Sequence, residues 1–156
     1  MKTILQTLTV LSLAFLVSCT SNEKAFKNAA EEAAKTRFSA TVEEEARGYL
    51  TQSDHFKNAY VSYMVKYAEF SAEEVKMNGE SSGVTTVFIT SYPPDVRKKL
   101  LSVASTVKSS STGQFNFSNA VQLIAKETGL PGEPMKYPFV TLNLKKDAKG
   151  DWIVLK

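Results

Sequence analysis

The chain reads as an α+β protein, with N-terminal helices packed on a curved antiparallel sheet of about four strands and a helical insertion between two hairpins. Three observations predict this. Alanine-rich stretches with helical charge spacing open the folded part, and two long runs of β-branched and aromatic residues meet at Asn78-Gly79. Two more apolar runs flank Asp147-Ala148-Lys149-Gly150 near the C-terminus. Helices and antiparallel strands that cluster separately along a chain belong to the α+β class.

Each element has its own warrant. Thr20 and Glu23 stand in capping-box spacing before Phe26, Ala29, Ala30, Ala33 and Ala34, and Glu23–Lys27 and Glu31–Lys35 are i,i+4 pairs. Thr41 and Glu44 repeat that spacing before Val42, Ala46, Tyr49 and Leu50, so a second helix is expected, weakened by Gly48. From Ala59 the alternation of Val61, Tyr63, Val65 and Tyr67 predicts a strand. It slips near Ser71-Ala72, as a bulge would make it do, and resumes at Val75 and Met77. Val84 to Thr90 supplies its partner, which makes residues 60–91 a hairpin of long strands.

Pro93-Pro94-Asp95 suits the start of a helix whose apolar stripe is Val96, Leu100, Val103, Ala104 and Val107. The serine-rich Ser109 to Gly113 breaks it. Ser118 is the expected cap of a further helix through Val121, Ile124 and Ala125, which Gly129 stops with Pro131 beyond. Val140, Leu142 and Leu144 alternate with Phe139, Thr141 and Asn143, and Trp152 to Leu155 closes the final hairpin.

The N-terminus is different in kind. Lys2 precedes a largely apolar segment from Ile4 to Val17, shorter than the roughly 20 residues a spanning helix needs. It has the length and charge of a secretory signal. It ends in Leu16-Val17-Ser18-Cys19, which places the only cysteine directly after a small residue. That arrangement resembles the lipobox of bacterial lipoproteins. The resemblance implies cleavage between Ser18 and Cys19, a diacylglyceryl group on the Cys19 sulfur and usually a further acyl chain on its amino group. Two or three chains anchor stably where one does not, since each buried methylene contributes about 0.8 kcal/mol. The expected organisation is a signal peptide over 1–18, the lipidated cysteine and a short tether over 19–22, and one α+β domain over 23–156. The implied location is the bacterial cell envelope, and Thr20 after the cysteine favours an outer membrane, facing the periplasm, in a two-membrane organism.

Without residues 1–18 the formal charge is about +2, with both signs interspersed and no block of like charge. No footprint for nucleic acid results. The lone cysteine excludes a disulfide framework, and with one histidine it excludes a His/Cys metal site. No cofactor motif is present. Asp54-His55 has the composition of a general-base pair, but adjacent residues seldom face each other, and a solvated role is expected. Glu43-Glu44-Glu45 and Glu73-Glu74 lack calcium-loop spacing and read as solvated faces. Arg97, Lys98, Lys99 and Lys108 give the helix after Pro94 a cationic side. The aromatics Tyr60, Tyr63, Tyr67, Phe70, Phe88, Phe139 and Trp152 concentrate on the expected sheet. Of these, Tyr63, Tyr67, Phe88 and Trp152 are candidates for lining a cavity, the usual place of a small-molecule site.

The order of helices, long hairpin and final hairpin ending in Gly150-Asp151-Trp152-Ile153-Val154 is similar to cystatin-like and nuclear-transport-factor-2-like lipoproteins. The likeness covers residues 40–91 and 136–156, and the helical stretch 94–129 departs from it. Members of that family range from isomerases and dehydratases to non-catalytic binding modules, and with no convincing catalytic cluster in the sequence the expected role is non-catalytic binding or structural, with an envelope protein or small ligand as partner. The alternative the likeness carries is a small isomerase- or dehydratase-like enzyme with its site in the cone of the sheet.

Overall fold

The computed structural model describes residues 2–49, 54–106 and 116–155, and of residues 2–20 the helical backbone alone. Leu50, Val107 and the serine-rich break from Ser109 to Gly113 lie outside the described residues. The order is α1 (Lys2–Tyr49), α2 (Asp54–Lys66), β1 (Glu69–Asn78), β2 (Ser82–Ser91), α3 (Pro94–Thr106), α4 (Phe117–Thr128), β3 (Met135–Lys146) and β4 (Trp152–Val154). This is the α+β architecture expected. The two hairpins join in one antiparallel open sheet of order β1-β2-β3-β4, with α3 and α4 between them in sequence.

Two expectations about local structure are corrected. The break between two N-terminal helices does not exist, because α1 runs straight through Thr41. The Thr41 hydroxyl donates to the Arg37 carbonyl at 2.9 Å, one turn back inside the helix. Threonine can make that bond as readily as a cap. The strand expected from Ala59 is α2. Over eight residues Tyr60, Tyr63, Met64 and Tyr67 fit a helical stripe as well as Val61, Tyr63, Val65 and Tyr67 fit a strand, and burial of Tyr60 and Met64 decides it. The sheet therefore starts at Glu69. The slip foreseen in the first strand is present, with burial passing from Ala72 to Val75 and Met77 around Glu74, whose φ is 52°.

The described residues form two compact units. The first comprises Met1–Ala33, Ser71–Val87 and Val140–Lys156. In it Phe26 and Ala30 of α1 are fully buried, as is Val87, and Leu142 and Leu144 nearly so. Phe26 meets Trp152 edge-on with ring centroids 5.0 Å apart, and the Glu31 carboxylate accepts from the Ala72 backbone N–H at 2.9 Å. The last hairpin pairs Leu144 with Val154 and Lys146 with Trp152. Its turn is held by Asp147, whose carboxylate accepts from the N–H groups of Lys149 and Asp151.

The second unit comprises Ala34–Phe70 and Phe88–Phe139. Its core gathers Phe38, Val42 and Ala46 of α1, Tyr60 and Met64 of α2, Ile89, and the apolar faces of α3 and α4. Phe38 packs edge-on against Phe70 and Phe139, which puts Phe139 among the core aromatics. Asn116, two residues before the expected Ser118, caps α4 by accepting from the Asn119 N–H. Gly129 ends that helix at φ 70°, a left-handed conformation natural to glycine, with its N–H on the Ala125 carbonyl.

Gly83 is the most closely packed of the described glycines in the first unit. A Cβ there would lie 3.0 Å from both Phe26 Cε2 and the Lys76 carbonyl oxygen. The carbonyl belongs to the backbone and cannot swing aside. Gly83→Ala is expected to lower stability by about 1–3 kcal/mol, as overpacking does. Chemical denaturation measures it, and an unchanged midpoint would show that Phe26 and β1 give way freely.

Candidate functional site

Polar side chains are collected inside the second unit around Arg97. The sequence put Arg97 on the cationic side of this helix with Lys98 and Lys99, and the structure separates them: those lysines are exposed, whereas Arg97 is 3% exposed. Its neighbours one turn on are Leu100 and Leu101, both fully buried, so α3 turns Arg97 inward along with them. The guanidinium grips Glu45 at both ends, Nε to one carboxylate oxygen at 2.9 Å and Nη2 to the other at 2.7 Å. Nη1 donates to the Tyr92 carbonyl at 3.0 Å and to the Tyr137 hydroxyl at 3.1 Å. The ring of Phe38 lies 5.4 Å below the guanidinium carbon.

This geometry fixes the protonation states. Burial alone would pull the Arg97 pKa down, but the hydrogen bonds and charge of Glu45 more than offset it, so the group stays charged. Burial pushes the Tyr137 and Tyr60 hydroxyls up, against the opposing pull of Arg97. Tyr92 is raised by burial first and by its bond to Tyr63 second. A chain of hydroxyls runs Tyr92–Tyr63–Ser118 with both steps 3.2 Å. Tyr63 also stacks on Tyr92 and Phe117 at centroid separations of 6.0 and 5.3 Å. Burial thus holds the Tyr60, Tyr92 and Tyr137 hydroxyls toward the neutral form beside a charged guanidinium, and the groups of the network position one another.

The other candidates are placed as follows. Tyr63 sits on α2 and Tyr67 directly follows it, their rings 5.0 Å apart, with Tyr67 40% exposed and Lys66 over its ring. Phe88 is half-buried on β2 with the Lys136 ammonium 5.4 Å from its centroid. These three belong to the second unit and Trp152 to the first. Asp54 and His55 are both exposed, and Asp54 is bound to Lys57 at 2.6 Å, which holds its carboxyl below the usual range. Glu45 leaves the acidic run to join Arg97, while Glu44 pairs with Arg47. Cys19 and Ser18 fall where only the helical backbone is described.

Trp152 lines a cavity of about 330 Å³ in the first unit, together with Ser21, Asn22, Glu80, Lys146 and Gly150. The Asn22 amide donates to the Glu80 backbone carbonyl at 3.2 Å, closing one side. The Lys146 ammonium stands 5.3 Å from the centre of the Trp152 ring. The buried indole N–H of Trp152 has no acceptor among the described residues. Sequence reasoning singled out Trp152 and missed Lys146 and Glu80, which stand 66 positions apart and meet because Lys146 donates its N–H to the carbonyl of Ser81.

Comparison with family models, with curated proteins and with solved structures returns no match. Among the described residues no group of three or more His, Cys, Asp or Glu is placed to hold a metal ion, and no helix is long and apolar enough to cross a membrane.

Two tyrosines give opposite expectations for the same deletion. The Tyr137 hydroxyl completes the Arg97 site, so Tyr137→Phe should cost about 1.5–3 kcal/mol, the range of bonds to charged groups. The buried Tyr60 hydroxyl has no partner among the described residues. Tyr60→Phe should therefore be neutral or slightly stabilising by urea denaturation, and equal losses for both variants would contradict this assignment of partners.

Proposed function

We propose that this chain is a lipid-anchored protein of the bacterial cell envelope whose folded units bind or support a partner without catalysis. The observation that carries the reading is Leu16-Val17-Ser18-Cys19 at the end of the apolar run after Lys2. The cysteine is the only one in the chain, and its thioether would commit it to lipid. Two or more acyl chains would then hold the protein at a membrane surface without a spanning helix.

The interior of the second unit supports the non-catalytic part. Its buried cation is locked in a two-pronged contact with Glu45, and its tyrosine hydroxyls are held in the neutral form by burial. Such a network fixes a shape. What it leaves for function is surface and cavity, presented close to the membrane by the anchor.

Labelled fatty acid fed to a bacterial host producing the chain tests the anchor. Label should appear in the wild type and vanish in Cys19→Ser, with the wild type shortened by 18 residues. Equal labelling of the two, or none in the wild type, would contradict acylation at Cys19.

A further inference from the structure

We propose that the cavity beside Trp152 is a site for a zwitterionic head group, one carrying a phosphodiester and a primary ammonium, taken from the lipid surface that holds the anchor. The assignment begins with charge. Lys146 and Glu80 line the same cavity with opposite signs, yet neither forms a salt bridge among the described residues, with each other or with any third group. Each lines the cavity with no ion-pair partner among the described residues, Lys146 lying over the Trp152 ring and Glu80 being exposed. A ligand that bears both signs supplies both partners.

The donors on the walls identify which end goes where. The Lys146 ammonium and the Ser21 hydroxyl offer hydrogens to an oxyanion, and so does the half of the Asn22 amide not used on Glu80. The Trp152 ring stands in the same wall, and its buried indole N–H has no acceptor among the described residues. Glu80 accepts only, and a primary ammonium can donate to it. A quaternary ammonium cannot donate, and a head group lacking a cation offers the exposed Glu80 carboxylate no charge partner. The volume of about 330 Å³ stands at the small end of ligand sites, which suits a head group and not a whole lipid.

Position supplies the source. Ser21 and Asn22 are the second and third residues after Cys19, within about 10 Å of it even on a fully extended chain. The choice of a lipid over a free small molecule rests on the proposed acylation of Cys19, whereas the chemistry of the cavity does not.

Trp152 is the only tryptophan, so its emission reports on this cavity directly. The full chain, wild type and Cys19→Ser, is placed in non-ionic detergent micelles and titrated with phosphatidylethanolamine, phosphatidylcholine or phosphatidylglycerol, and separately with soluble glycerophosphoethanolamine. The expected result is a saturable emission change with phosphatidylethanolamine, at least fivefold weaker with the other two lipids. Lys146→Gln and Glu80→Gln should each weaken it about tenfold while circular dichroism stays unchanged. A matching response to the soluble head group supports the same cavity chemistry with a free source, and a response confined to the lipid supports the membrane source. No response, equal responses to all three lipids, or full retention in either variant overturns the proposal. The wild type separates the two readings: an emission change with phosphatidylethanolamine beside absent fatty-acid labelling sinks the anchor alone, and labelling without an emission change sinks the cavity alone.

Discussion

Everything described here is built on one line of side chains along α1. Phe26, Ala30, Ala34, Phe38, Val42 and Ala46 are all fully buried, one at every fourth position. A step of four residues exceeds one helical turn by about 40°, so from Phe26 to Ala46 the line winds about 200° round the helix. The large residues on it fill space, and each phenylalanine or valine buried contributes about 1.5–3 kcal/mol. The alanines do the opposite work, letting neighbouring backbone and side chains approach closely. Residues up to Ala33 serve the first unit and those from Ala34 serve the second, so one helix supplies a wall to each.

Within the second unit the constraint is electrostatic. A guanidinium that is 3% exposed is tolerable only when its hydrogens are answered, and Glu45, Tyr137 and the Tyr92 carbonyl answer them. That ties α1, β3 and the end of β2 to α3 through one side chain. Breaking such a pair by removing one partner typically costs about 3–5 kcal/mol, because the remaining charge stays buried. The network therefore specifies which packing of α3 is allowed.

The legible parts of the fold were those with a local cause. Asn78-Gly79, Pro93-Pro94-Asp95 and Gly129 mark their boundaries by backbone chemistry, and the strand slip after Ala72 was visible as a break in alternation. What stayed hidden depends on distant partners. The winding of the α1 line spreads its apolar residues around the helix, so no single amphipathic stripe announces 48 continuous residues. The α2 segment satisfies both periods, and burial of its Tyr60 and Met64, with Tyr60 and Tyr63 against Phe117, chooses between them. Arg97 reads as one of three basic residues in a row, and the carboxylate that draws it inward lies 52 positions earlier. For the cavity, Trp152 was legible as an aromatic on the last strand, whereas Lys146 and Glu80 come to one cavity only when the two hairpins join, the Lys146 N–H on the Ser81 carbonyl.

The continuity of α1 through Thr41 is the claim on which the account turns, since a break there would separate the winding line into two unrelated helices. Residue-resolved hydrogen exchange across Phe38 to Glu44 tests it most directly. Protection that runs unbroken through Ala40, Thr41 and Val42 at the level of their neighbours is the predicted result. Rapid exchange of those three amides between two protected segments would contradict it.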